Sequence, residues 1–252
     1  MSGYGELEPR LNTMSNKKSS SLITGQQIPL KVTSVGRQTL DNYFGAAAVV
    51  AHLRRLQEQE LLYLWGEPGC GKTHLLKACC QPAAGYSEKC QYLDLHEGTE
   101  RQVSPQSFQD CRLLAVDNLQ MIAGDKTAEQ IWLEDFEQAR KIGQRWVLAA
   151  RKAPALSGFV LPDLVSRLES GTVYQLRQPS DVNKRLALQQ RARLLGFELG
   201  DHVVNYMLLR SVRDMHALFA VLDQLDTASL VQKRKVTVHL LRELFNAGVV
   251  KK

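Results

Sequence analysis

Between Gly66 and Thr73 the chain reads Gly-Glu-Pro-Gly-Cys-Gly-Lys-Thr, and His74 follows. Gly66, Gly69 and Gly71 let the backbone turn tightly enough for successive N–H groups to converge on one anion, with Glu67, Pro68 and Cys70 filling the loop between them. A helix opening at Lys72 adds the positive end of its dipole. Lys72 has the reach to neutralise β- and γ-phosphate charge, and the Thr73 hydroxyl suits a magnesium ion. The chemistry implied is the binding of a nucleoside polyphosphate. A second candidate group closes the apolar run Arg112-Leu-Leu-Ala-Val116, where Asp117 and Asn118 follow. A carboxylate delivered there by a buried strand suits a ligand of magnesium or of its bound water. An apolar strand ending in Asp more often ends in a cap or turn; behind a phosphate loop at this distance, the nucleotide reading takes precedence.

These groups need elements to hold them. The run Glu60–Trp65 reads as a strand entering the loop, and Gln91–Leu95, Arg112–Val116, Arg145–Ala149 and Thr172–Leu176 read as four more. Helical spacing appears over Thr39–Gln57, directly after the loop, near Pro105–Gln109 and over Ala128–Ile142. Strands alternating with helices predict an α/β fold, a five-stranded parallel sheet flanked by helices, with ligands at the carboxyl ends of the strands. Beyond Pro179 strand signals vanish. Helices are expected over Asp181–Leu195, Asp201–Arg210, Asp214–Val231 and Val238–Phe245, the third with an apolar stripe of Met215, Leu218, Phe219, Leu222 and Leu225. Pro179-Ser180 marks the boundary and a helix start. The expected organisation is a disordered polar tail over 1–25, a short apolar peptide over 26–32, a nucleotide-binding α/β domain over 33–178 and a helical lid over 179–252.

Composition bounds the partners. With 252 residues and 44% hydrophobic content the chain can bury a substantial core. The net charge of +6 permits transient contact with nucleic acid without demonstrating it. The five cysteines (Cys70, Cys79, Cys80, Cys90, Cys111) form an odd set without a Cys-x-x-Cys pair, so neither a disulfide framework nor a zinc site is expected. No apolar run approaches the roughly 20 residues of a membrane span, and no signal-peptide pattern opens the chain. A cytoplasmic protein in a reducing compartment is the expectation.

The phosphate loop, the strand end Val116-Asp117-Asn118, the segment Leu161–Leu168 (Leu-Pro-Asp-Leu-Val-Ser-Arg-Leu) and the run Met215–Asp226 (Met-His-Ala-Leu-Phe-Ala-Val-Leu-Asp-Gln-Leu-Asp) together resemble the Hda family. Its members are AAA+ proteins homologous to the bacterial replication initiator DnaA, and they promote that initiator's inactivation. The resemblance spans about Gln26 to Phe245, and the last two segments are more specific to it than the phosphate loop. It implies an AAA+ P-loop domain followed by a small α-helical lid. As cofactor it implies ADP or ATP with magnesium, held by Gly66 through His74, Asp117, Asn118 and His216, with Thr73 and Asp117 at the metal. Gln27, Ile28, Pro29 and Leu30 fall where the family carries its motif for the DNA polymerase sliding clamp. Taken without the family, that patch reads as a linker tucking its apolar side chains onto the domain; the resemblance favours docking.

Arg167 matches the arginine finger that the family presents to a partner's nucleotide. The function implied is negative regulation of replication initiation: the protein docks on the DNA-loaded clamp and stimulates ATP hydrolysis by DnaA in trans, with little turnover of its own. DNA is then reached through the clamp. The initiator's helix-turn-helix domain would have to follow the lid, and the chain ends at Lys252, so sequence-specific DNA binding is not expected. Three positions depart from an active hydrolase. Asn118 stands where a second carboxylate would orient water. Arg151 follows the fourth strand where the superfamily keeps a small polar or acidic sensor, and two readings stay open, a phosphate contact or an exposed side chain. His216 stands where the lid supplies an arginine, and an imidazole cannot reproduce that permanently charged fork. Two other classes remain: a helicase loader, which would need an N-terminal docking domain, and a self-sufficient ATPase, which would need a water-orienting acid. Oligomeric state, including a homo-oligomer, stays open.

Overall fold

Five short apolar runs form strands: β1 (Leu61–Trp65), β2 (Cys90–Asp94), β3 (Leu113–Asp117), β4 (Arg145–Ala150) and β5 (Thr172–Gln175). The computed structural model describes residues 38–81, 89–96, 110–210 and 214–247. The expected tail over 1–25, the peptide over 26–32 and the helical stretch over 105–109 lie outside the described residues. The strands make one parallel sheet in the order β2-β3-β4-β1-β5, with Leu64 opposite Ala149 and Asp94 opposite Asp117. Because every pairing is parallel, the carboxyl ends share one edge. The phosphate loop, Asp94, Asp117 and Arg151 all emerge there.

The runs are continuous rather than alternating because both sheet faces are covered. Leu62, Leu64, Leu113, Ala115, Val147 and Ala149 point to one side, against α1 (Ala47–Leu53) and α2 (Lys72–Cys79). Leu61, Tyr63, Leu114, Val116, Trp146 and Leu148 point to the other, against α3 (Lys126–Lys141) and α4 (Pro162–Glu169). The expected helix over Thr39–Gln57 is confined to α1. A turn precedes it, closed by Thr39 N–H donating to Asn42 Oδ1 (2.9 Å) and Asn42 N–H donating to Thr39 Oγ1 (3.2 Å), which competes with helical bonding.

Four helices follow the sheet: α5 (Asp181–Leu194), α6 (Asp201–Arg210), α7 (Met215–Gln232) and α8 (Val238–Asn246). They bury their own core around Leu188, Val204, Leu218, Leu222, Leu225 and Leu240. Ser180, the expected helix start, accepts from Asn183 N–H, and Asp214 accepts from His216 and Ala217 N–H at the head of α7. No described helix is long and apolar enough to cross a membrane.

The cysteine expectation is corrected at one pair. Cys80 and Cys90 are joined as a disulfide, with Cα atoms 5.2 Å apart, while Cys70, Cys79 and Cys111 are free. No spacing rule reveals this pair. Cys80 caps the end of α2 and Cys90 opens the edge strand β2, and only the packing of α2 on the sheet brings them together.

One buried charge ties the second sheet face together. Glu129 on α3 is fully buried, and its carboxylate accepts from the backbone N–H groups of Gly124, Val160 and Leu161 at 2.8–3.0 Å. It thereby fixes the loop that enters α4. Glu129→Ala leaves these donors without an acceptor, so urea unfolding should show a loss of roughly 3 kcal/mol; an unchanged midpoint would mean that the loop is held by other contacts.

Candidate nucleotide site

The site is assembled where β1 hands over to α2. Gly69 and Gly71 have φ of 80° and 96°, a left-handed conformation that L side chains rarely adopt. Crowding removes the remaining freedom: a Cβ on Gly71 would lie 2.5 Å from the Tyr43 ring, and one on Gly69 would strike the Asp214 carboxylate. The loop therefore presents bare backbone to a cleft. Lys72 folds over it, its Nζ donating to the Gly66 carbonyl at 2.6 Å and the Glu67 carbonyl at 3.0 Å and lying 3.6 Å from Cys70 Sγ.

Asp117 ends β3 almost wholly buried, 1% exposed. Thr73 Oγ1 donates to its Oδ2 at 2.5 Å, Tyr92 OH approaches the same oxygen at 3.3 Å, and Asn118 N–H donates to Oδ1 at 2.9 Å. Burial raises the Asp117 carboxyl above its ordinary value and neighbouring Asp94 adds to the rise, while the hydrogen bonds from Thr73, Asn118 and Tyr92 act against it. A divalent cation at Thr73 and Asp117 would offset that desolvated charge, so the pair fits magnesium. Asn118 adopts φ 60° and turns its amide to Asp94, Nδ2 donating to Oδ1 at 2.8 Å.

The other expected residues divide. Pro68 is exposed, and its carbonyl accepts from Gln178 Nε2. The Cys70 carbonyl accepts from Tyr43 OH at 3.1 Å. His74 is turned to the Thr39 carbonyl at 3.0 Å, and burial lowers its pKa, which keeps the ring neutral. It lines the cleft while bracing the segment before α1. Arg151 and His216 are exposed and also line the cleft. Arg167 does not; it stands on α4, with its side chain 41% exposed and Nε 2.6 Å from Glu137 Oε1.

Sequence reasoning missed several walls of the cleft, which has a volume of about 530 Å³. Tyr43 and Phe44 come from the turn before α1, and Arg191 and Asp223 come from α5 and α7. Arg191 grips Asp223 through Nη2 at 2.9 and 3.0 Å and lies 4.9 Å over the Phe219 ring. No motif marks these residues. Asp94 and Tyr92 were legible in principle, as alternate residues of a strand ending beside Asp117.

A glycine-rich anion cradle, a lysine over it, a threonine–aspartate pair for a cation and a helical cap closing one cleft define a nucleotide-binding protein of the AAA+ class. The family profile described as the bacterial DnaA ATPase domain matches residues 35–175, more than half of the chain, and the profile described as the Hda lid domain matches residues 181–245. The chain belongs to the DnaA-related AAA+ proteins, within the Hda family. Solved structures agree in fold. Domain III of the Thermotoga maritima replication initiation protein DnaA superposes with a TM-score of 0.71 at 18% identity, covering 85% of this chain and 98% of that one. AMPPCP-bound DnaA from Aquifex aeolicus gives 0.62 at 18% identity over 76% and 66% of the two chains. The Thermotoga maritima RuvB Holliday junction branch migration motor gives 0.64 at 16% over 83% and 72%.

The raised Asp117 pKa fixes a sign. The folded state binds this proton more tightly than the unfolded state does, so stability without ligand falls as pH rises from the ordinary carboxylate value through the raised one. Asp117→Asn removes that cost and should raise the melting temperature of ligand-free protein at neutral pH. The same change should weaken magnesium-dependent nucleotide binding by roughly tenfold or more, as titration calorimetry would reveal. Unchanged binding in the presence of magnesium would remove Asp117 from the metal site.

Proposed function

We propose that this protein is a negative regulator of replication initiation that supplies Arg167 in trans to the ATP site of the initiator DnaA. The observation that carries the reading is a separation: a glycine and lysine cradle beside Asp117 and Asn118, with Asn118 where the resemblance expects a water-orienting acid, and a half-exposed arginine on α4 that does not line that cleft. A carboxylate can take the proton of an attacking water, whereas Asn118 cannot. Turnover at its own site is therefore slow.

The bound nucleotide is ADP, held with magnesium as a structural ligand. The cleft has walls from the phosphate loop and from the helical lid, and Asp214 at the start of α7 lies against Gly69. A ligand touching both stabilises their mutual placement by mass action. In the partner's site, the guanidinium of Arg167 meets negative charge developing on the transferred phosphoryl group; such fingers are worth roughly 10³ to 10⁵ in rate. The protein works in the cytoplasm.

Gln27, Ile28, Pro29 and Leu30, outside the described residues, form the ligand for the sliding clamp. Tethering to a clamp that encircles DNA raises the local concentration of the finger toward the millimolar range. DNA contact is thus indirect.

Initiator ATP hydrolysis, measured with and without this protein and DNA-loaded clamp, is the deciding assay. Arg167→Ala should return hydrolysis to the unstimulated rate while nucleotide binding and melting temperature stay near those of the parent. Arg167→Lys should do little better, because an ammonium lacks the planar fork. Full stimulation by Arg167→Ala at matched clamp and nucleotide occupancy would sink the assignment. Leu30→Ala should weaken clamp binding by about 2 kcal/mol, roughly thirtyfold in affinity, with the melting temperature almost unchanged. A large fall in melting temperature with clamp binding intact would make the patch structural.

A further inference from the structure

Helix α3 governs the surroundings of Arg167 at two points. Near its start, Glu129 accepts from the N–H groups of Val160 and Leu161, the residues leading into Pro162 at the head of α4. Eight residues later, Glu137 brings Oε1 to within 2.6 Å of Arg167 Nε. At a rise of 1.5 Å per residue the two carboxylates are about 12 Å apart along one helix. That helix is seated firmly, with Trp132, Phe136 and Ala139 buried against β4 and its neighbours. A single rod thus sets where α4 begins and which way its arginine leans.

The side of the guanidinium that is held decides what is left. Arginine offers five N–H donors in a planar fork, and Glu137 meets it at Nε. Among the described residues the Nη amines hydrogen-bond to nothing, and the side chain is 41% exposed. Glu137 Oε1 is buried with no donor in hydrogen-bonding alignment, so charge attraction carries the contact. Holding Nε leaves the two Nη amines, a pair able to span two phosphate oxygens, without a hydrogen bond to a described residue on a side chain that is 41% exposed.

We propose that Glu137 is a positioning residue for Arg167, orienting the guanidinium for a neighbouring molecule's phosphate groups; this rests on the finger reading above. The same contact could act in the opposite sense, as a latch withholding the arginine. A latch would have to engage the end of the fork that does the work. The closest approach is at Nε, and the Nη amines make no hydrogen bond to a described residue, so orientation is the sense that the geometry favours. Exposed ion pairs also contribute little to folding stability, so the effect of losing Glu137 falls on geometry.

The test uses the full chain with nucleotide and DNA-loaded clamp, and measures initiator ATP hydrolysis against initiator concentration. Glu137→Ala should lower the maximal stimulated rate roughly tenfold or more, as a finger displaced by about an ångström would, with half-saturation and melting temperature near those of the parent. Glu137→Gln keeps an oxygen acceptor at the same place and should recover part of the rate. A rate at or above the parent's for Glu137→Ala overturns the proposal, and a rise would identify a latch. A rate loss accompanied by a clear fall in melting temperature or in nucleotide binding would make Glu137 merely structural and overturn the proposal. If Arg167→Ala itself keeps full stimulation, the finger reading falls and the proposal with it; if Arg167→Ala abolishes stimulation and Glu137→Ala does not reduce it, the positioning role alone is lost.

Discussion

A hydroxyl on the first turn of α2 donating to a buried carboxylate at the end of β3 is the contact on which the rest of the structure depends. Thr73 follows β1 through the loop, and β4 lies between β1 and β3 in the sheet, so the bond from Thr73 to Asp117 spans one strand. It sets the distance between the phosphate cradle and the cation position. Burying a carboxylate is unfavourable unless hydrogen bonds or a cation compensate. Asp117 has three hydrogen-bonding neighbours, and burial raises its pKa, a cost that a cation held there would offset. The parallel sheet makes this possible by gathering its carboxyl ends along one edge.

The same chain separates binding from chemistry. Its own cleft is built to hold: bare glycine backbone, a lysine over it, His74 bracing the entrance segment, Gln178 donating to the Pro68 carbonyl, and a helical lid reaching the loop at Asp214. What the cleft lacks is a carboxylate at position 118, where an amide donates to Asp94 instead. The partly exposed guanidinium on α4 is not among the residues that line that cleft. The proposed role would need this division, because a finger aimed into its own cradle would serve its own turnover.

Electrostatics on the second sheet face follow the same logic. Glu129 is fully buried and satisfied by backbone N–H groups, a fixed geometric pin. Glu137 and Arg167 are partly exposed, where water screens the pair, so its contact can orient the guanidinium while adding little to stability. Rigidity is concentrated at the root of α4, and charge is presented at its tip.

By itself the sequence determined the class of fold and the chemistry of the loop. Five apolar runs broken by helical stretches can bury both faces only as a parallel sheet, and Gly-x4-Gly-Lys-Thr between a strand and a helix has one physical use. Strand ends came within a residue or so, because a buried run stops where polar residues begin, and Asp117 ends β3 as the sequence suggested. What only the tertiary structure decided are the contacts between segments distant in the chain. Tyr43 against the phosphate loop, Arg191 with Asp223, Glu129 under the entry to α4, Glu137 beside Arg167 and the Cys80–Cys90 pair leave no periodic or motif signal, because each depends on where two separately formed elements pack. Local sequence sets what an element is, and packing sets which of its side chains meet.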